Sequence, residues 1–191
     1  MRKTMNRGLA AVCLAAGLGL AAFGPARNAR AAEPPLPVQT VEKSVARAEL
    51  DKEKRVFLNT INQYRRRLGL PQLAEDPKLA AAAQWLSQDM ADHDYLGHED
   101  SKGRGPFERM DDFGYFRNTY KAENVAAGQE TAAEVFQTWK QSKPHDANMR
   151  HPKFKAIGIG LAFKSGTTYG WYWTTTLGGQ VTVEGKEPAR E

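Results

Sequence analysis

Apolar positions recur at helical spacing through residues 41–68, and Val56, Ile61, Tyr64 and Leu68 fall near one face of the helix this predicts. Arg65, Arg66 and Arg67 close it, where positive charge complements the helix dipole, and Gly69 can take the left-handed cap. The arginine run reads as a solvated helix end. Asp76-Pro77 marks the next start, an N-cap followed by proline at the first helical position. The helix KLAAAAQWLSQDMADH then sets Leu79, Ala83, Leu86 and Met90 on one face, with Trp85 at the core or its edge. A polar loop, DYLGHEDSKGRG, leads to a short helix, PFERMDDF, opened by Pro106 and closed by Gly114. KAENVAAG reads as irregular. Thr131 and Glu134 form a capping box for TAAEVFQTWKQS, whose apolar face is Ala132, Val135, Phe136 and Trp139.

Beyond residue 155 the period shortens to two. AIGIGLAF sets Ile157, Ile159, Leu161 and Phe163 on one side and Ala156, Gly158, Gly160 and Ala162 on the other. One face is bulky, and the other admits close approach. After the turn KSGTT, YGWYWTTT alternates again, with Tyr169, Trp171, Trp173 and Thr175 on one side. The two runs predict a hairpin. Helices first and a hairpin last give an α+β class.

The two ends change the picture. Arg2, Lys3 and Arg7 precede an uncharged run over residues 8–23, and Ala29-Arg30-Ala31 follows. This is the pattern of a secretory signal peptide over residues 1–31. The apolar run of about sixteen residues is short of the roughly twenty a membrane span needs. The expectation is an exported protein, periplasmic or secreted, with no integral span after cleavage. Residues 32–50 read as a Pro-rich linker and the start of the first helix, 51–179 as the folded domain, and 180–191 as a loose tail. Five of the 27 Lys and Arg lie in residues 1–31, which hold no acid, so 22 bases face 22 acids in the remainder. That balance removes the electrostatic case for nucleic acid. Cys13, the only cysteine, lies in the same leader, which leaves no disulfide, thiol nucleophile or Cys-ligated metal after cleavage.

There is no Gly-rich phosphate loop after a strand, no HExxH and no G-x-S-x-G. The polar candidates sit in loops. Glu123 precedes Asn124 and a run of small or apolar residues, as an acid held against a core wall would. Burial would raise its pKa and a histidine partner would lower it. The bland alternative is a glutamate that satisfies loop amides. His98 follows Gly97 and precedes Glu99 and Asp100, while His93 sits on a helix end and reads as structural. No two histidines are spaced i, i+4 on a helix, so a metal site would need distant segments. In WKQSKPHDANMRHP, Ser142 lies three residues before His145, so contact is feasible. A serine nucleophile needs its base within hydrogen-bond reach and an oxyanion hole. The competing role for Ser142 is to cap the helix end or the following turn.

Taken in order, NQYRRRLGLPQL, DPKLAAAAQWLSQDM, GHEDSKGRGPFERMDDFGY, AENVAAG, WKQSKPHDANMRHPKFKAIGIGLA and YWTTTLGG resemble the CAP superfamily in its bacterial exported branch. This superfamily joins cysteine-rich secretory proteins, antigen 5 and the plant pathogenesis-related proteins, and its module is the SCP-like domain. The resemblance covers residues 57–179. It implies a three-layer α-β-α sandwich with a central antiparallel sheet, and a cleft of two histidines and two acids. His98 in GHED matches the first family histidine, Glu123 in AEN the first acid, and His145 in SKPH the second histidine. Where animal and plant members carry the second acid this chain has Ser142, as is usual in bacterial relatives. Glu99, Asp100 and Asp146 are the candidates to replace it, and His151 falls outside the cleft.

Two imidazoles and a carboxylate imply one of two things. One is a site for a divalent metal such as zinc, with His98 and His145 as ligands. The other is a hydrogen-bonded cluster that locks the loops to the sheet. Some family members bind sterols or other lipids and a few are claimed as proteases, neither being general. The reading that follows is an exported binding module for a small apolar or lipid ligand, or for a cell-envelope partner. The alternatives are a hydrolase, metal-assisted or built on Ser142 and His145, and a structural cluster with function on the surface loops. The missing acid weighs against an enzyme.

Overall fold

The two faces of one strand organise the molecule. In a computed structural model, which describes residues 38–116 and 118–182 with side chains from residue 46 onward, the elements are α1 (Val38–Arg67), β1 (Ala74–Glu75), α2 (Pro77–His93), α3 (Pro106–Asp112), β2 (Lys121–Ala127), α4 (Ala132–Gln141), α5 (Lys143–Met149), β3 (Ala156–Phe163) and β4 (Trp171–Gly178). The expected leader, residues 32–37 of the linker and residues 183–191 of the tail lie outside the described residues. The sheet order is β1-β3-β4-β2. β4 pairs antiparallel with β3 and β2, while the two-residue β1 runs parallel to β3 at Ala74–Ala156 and Glu75–Ile157.

On the bulky face, Ile157, Ile159 and Leu161 join Trp173 and Leu177 of β4. They pack against Phe57 and Ile61 of α1 and Val135, Phe136 and Trp139 of α4. On the small face, Ala156 and Ala162 meet Leu79, Leu86 and Met90 of α2, with Tyr172 and Met110. A Cβ at Gly158 would collide with the backbone of Leu79 and Ala80, and one at Gly160 with that of Ala83. The alternation of small residues is therefore the seat of α2, and the result is the expected α-β-α sandwich. Thr176 Oγ1 donates to Leu79 O at 2.9 Å, and Ser87 Oγ to Thr174 Oγ1 at 3.0 Å, which ties the close layer down.

Local signals act as anticipated at several points. The Asp76 carboxylate accepts from the amides of Lys78 and Leu79 with Pro77 at the first helical position, and Thr131 and Glu134 form both halves of the capping box. Gly69 and Gly114 have φ of 69° and 88° behind their helices.

Other expectations are corrected. KAENVAAG is the strand β2, because its partner β4 supplies the ladder that its own composition does not announce. Val56 and Leu68 are 41 % and 48 % exposed. The inward stripe of α1 is instead Phe57 and Ile61, flanked by Leu50, Leu58 and Tyr64. The arginine run is not all solvated: Arg65 is fully buried. Its guanidinium donates to the carbonyls of Pro71 and Met149, both at 2.8 Å, and of His151 and Phe154, both at 3.1 Å. Residues 38–50, within the expected linker and helix start, belong to α1. The tail is not loose at its beginning, since Gln180 O accepts from Tyr115 and the Thr182 amide donates to Asp76.

Candidate functional site

β2 is the edge strand of the sheet, so its pleat sends alternate side chains to opposite layers. Glu123 turns toward α3, and its side chain is 1 % exposed. Arg109 Nη2 donates to Glu123 Oε2 at 2.6 Å, and His98 Nδ1 meets Oε1 at 2.9 Å. A carboxylate that accepts from this ring requires the proton on Nδ1. The His98 side chain is 51 % exposed. Glu123 is thus an acid against a core wall, with both oxygens engaged.

Arg109 is the hub on this side and is itself fully buried. Beyond Glu123 it reaches the His98 carbonyl, at 3.3 and 3.2 Å, and Asp100 Oδ2 at 3.4 Å. Asp100 is also bound by Arg104 Nε at 2.9 Å and by the amides of Lys102 and Arg104, both at 3.0 Å. Burial pushes the Asp100 carboxyl up, but these donors outweigh it and hold the group below the usual carboxylate range. The loop carrying His98 is pinned from α2 as well. Asp89 accepts from Tyr95 OH at 2.6 Å, the Ser101 amide at 2.8 Å and Ser101 Oγ at 2.5 Å. His93 closes on the same Asp89, as a structural helix-end histidine would.

On the other side of β2, Asn124 points toward α5. Its Nδ2 donates to His145 O at 3.1 Å, and Asn148 Nδ2 donates to its Oδ1 at 2.8 Å. His145 lies partly buried beside Trp139, with ring centroids 6.4 Å apart. Its Nδ1 is buried without a hydrogen-bond partner. Burial first, and the charge of His98 second, push the His145 pKa below its ordinary 6.5. Glu123 thus holds His98 on one side of β2, and Asn124 meets the His145 backbone on the other.

The sign of that shift makes a prediction. A histidine that favours its neutral form when folded contributes stability that is complete above pH 6.5 and is lost as pH falls through its lower folded value. The midpoint of urea unfolding is expected to drop between pH 7 and pH 5 in the wild type and to flatten in His145→Phe. A His145 ring-proton titration midpoint above 6.5 would contradict it.

The remaining candidates separate. Ser142 joins α4 to α5 through its backbone, donating to Trp139 O and accepting from the Asp146 amide. Its side chain makes no helix-capping bond, and among the described residues no hydrogen bond joins its hydroxyl to His145. Asp146 binds Tyr64 OH at 2.8 Å and Arg150 at 3.0 Å, and Glu99 is exposed. Asp100 is held by the arginines. None of the three restores the missing acid. His151 stacks on Phe154 and Tyr120, away from the pair.

The expected zinc set fits poorly. Among the described residues no three His, Cys, Asp or Glu side chains gather as a metal-holding group. The carboxylate nearest the imidazoles is bonded to Arg109. His98 is tied to Glu123, and His145 lies beside Trp139.

A model of the CAP family, described as the cysteine-rich secretory protein family, matches residues 58–177. The uncharacterized protein YkwD of Bacillus subtilis (strain 168) is 39 % identical over 108 residues, which are 56 % of this chain and 41 % of that protein. Among solved structures, an extracellular protein containing an SCP domain from Bacillus anthracis superposes with a TM-score of 0.62 at 22 % identity. The match covers 78 % of this chain and 45 % of that one. An outer surface protein from Borrelia burgdorferi superposes with a TM-score of 0.59 at 20 % identity, covering 66 % of this chain and 92 % of that one. This chain thus spans less than half of the curated relative and of the B. anthracis protein. Among the described residues no helix is long and apolar enough to cross a membrane.

Proposed function

Because the chain belongs to the CAP family of cysteine-rich secretory proteins, we propose that it is an exported binding module for a small apolar or lipid ligand rather than a hydrolase. The observation that carries this reading is the saturation of Glu123. Arg109 and His98 take both of its oxygens, so the carboxylate orients an imidazole and is not free to act as a base. Ser142 and His145 do not complete a nucleophile–base pair either. What the face offers is recognition: a His98 ring held in place by Glu123, and a His145 ring pushed toward its neutral form by burial and by the charge of His98. Export is supported by the apolar leader pattern and by the descriptions of the two structural neighbours as extracellular and outer-surface proteins.

The test is titration of the protein against a panel of fatty acids, sterols and phospholipids, run beside peptide and ester hydrolysis assays. Saturable binding to a member of the panel is expected, with no hydrolysis that depends on His98 or His145. No saturable binding across the panel, or hydrolysis abolished in His98→Ala, would sink the proposal.

A further inference from the structure

We propose that α1 and α2 enclose a second site, distinct from the two histidines, that takes a small apolar molecule bearing one anionic group. It rests on the binding-module reading and gives the apolar ligand a place. The cavity measures about 510 Å³, within the range of sites that hold small molecules. Its accessible apolar surface comes from Leu50, Trp85 and Phe113, all partly exposed.

The topology explains why a cavity opens here. β1 pairs with β3 only at Ala156 and Ile157, so no strand covers the rest of that edge of β3. Gln84 of α2 stands in for one. Its Nε2 donates to Leu161 O at 3.0 Å, and its Oε1 accepts from the Leu161 amide at 3.3 Å. That closes the back of the cavity with both backbone groups satisfied. The Gln88 amide is likewise committed, to Asp92. The floor therefore presents apolar area and committed amides, which suits a hydrocarbon or aromatic body rather than a sugar.

The rim sets the charge. Asp51 is the one acid lining the cavity and is neutralised by Lys54 at 2.6 Å. Arg47, whose side chain is 84 % exposed, touches Asp51 only at 4.0 Å. Outside the lining, the Lys102 ammonium and the Arg104 guanidinium lie 5.2 and 4.6 Å from the centre of the Trp85 ring. Arg104 is engaged by Asp100 and Asp112, which among the described residues leaves Arg47 on the lining and Lys102 beside Trp85 as the surplus. An anionic head over an apolar floor is the complement.

The probe is 2-naphthoate, with 2-naphthalenemethanol as its uncharged counterpart, titrated calorimetrically into the full chain. Saturable 2-naphthoate binding is expected, weakened by about tenfold in Ala81→Phe, which fills the space from an exposed helix position. Ala81→Leu serves if the phenylalanine variant does not melt cooperatively. The double variant Arg47→Glu, Lys102→Glu is expected to weaken 2-naphthoate by about tenfold and to leave the alcohol unchanged. Absence of saturable 2-naphthoate binding overturns the site. So does binding that survives filling at position 81 but is lost in His98→Ala, and that outcome leaves the binding-module reading standing.

Discussion

Arg109→Met is expected to lower the unfolding free energy by about 4 kcal/mol, because breaking a buried ion pair strands its partner. Here two partners lose it, Glu123 keeping His98 alone and Asp100 keeping Arg104 and the Lys102 amide. Glu123 and Asp100 share the Arg109 guanidinium, and both of their side chains are out of solvent. With methionine at 109 two buried carboxylates face each other without the cation between them, and the His98 carbonyl loses two donors. Urea unfolding at pH 7 measures the loss. Burial raises the Asp100 pKa, but the Arg104 and Lys102 amides and the Arg104 side chain bring it below its ordinary 3.8, so that contribution is present above 3.8, is lost as pH falls through the folded value, and should persist in the variant. Arg109→Lys should recover part of the loss, since an ammonium can serve Glu123 but cannot also bridge to Asp100 and the carbonyl. A destabilisation under about 1 kcal/mol, the size of an exposed pair, would show that the cluster is not held as described.

Arg65→Met is expected to cost about 4 kcal/mol as well, since each buried acceptor left without a donor costs roughly 1–3 kcal/mol. Four carbonyls depend on this one side chain, and they belong to two separate turns. Pro71 follows α1, while Met149, His151 and Phe154 form the passage from α5 into β3. That passage supports the helix that carries His145, so the variant should also speed amide hydrogen exchange across α5. Arg66→Ala is the control. Arg66 bonds Gln72 at the surface, and its removal should leave the unfolding midpoint in place. Equal effects at positions 65 and 66 would refute the assignment of the buried role to Arg65.

Much of the site was legible in the chain before its fold was known. Ile157 to Phe163 against Ala156 to Ala162 announced a strand with one thin face, and α2 lies on that face. Glu123 announced itself as a buried acid, and His98 as its partner through family order. The partner that completes the pair did not. Arg109 sits in a short helix whose sequence, PFERMDD, looks like any charged surface turn. Its only advance signal was arithmetical: a buried carboxylate needs more than one half-exposed histidine, and the cation had to come from somewhere. Arg65 was hidden in the same way, inside a run whose neighbours are solvated. Ser142 and His145 point the other way. Their spacing permits contact, yet among the described residues no hydrogen bond joins the Ser142 hydroxyl to His145.

The order of motifs and the two hydrophobic periods were enough to settle family, class and the small face of β3, because these depend on neighbours a few residues apart. Tertiary structure decided which arginine is buried, which layer each side of β2 faces, and that Glu123 meets Arg109 and His98. Those outcomes are desolvation problems. A buried charge is tolerated only where a partner from another segment meets it, and Arg109, His98 and Glu123 meet only after α3 and the His98 loop have folded against the sheet.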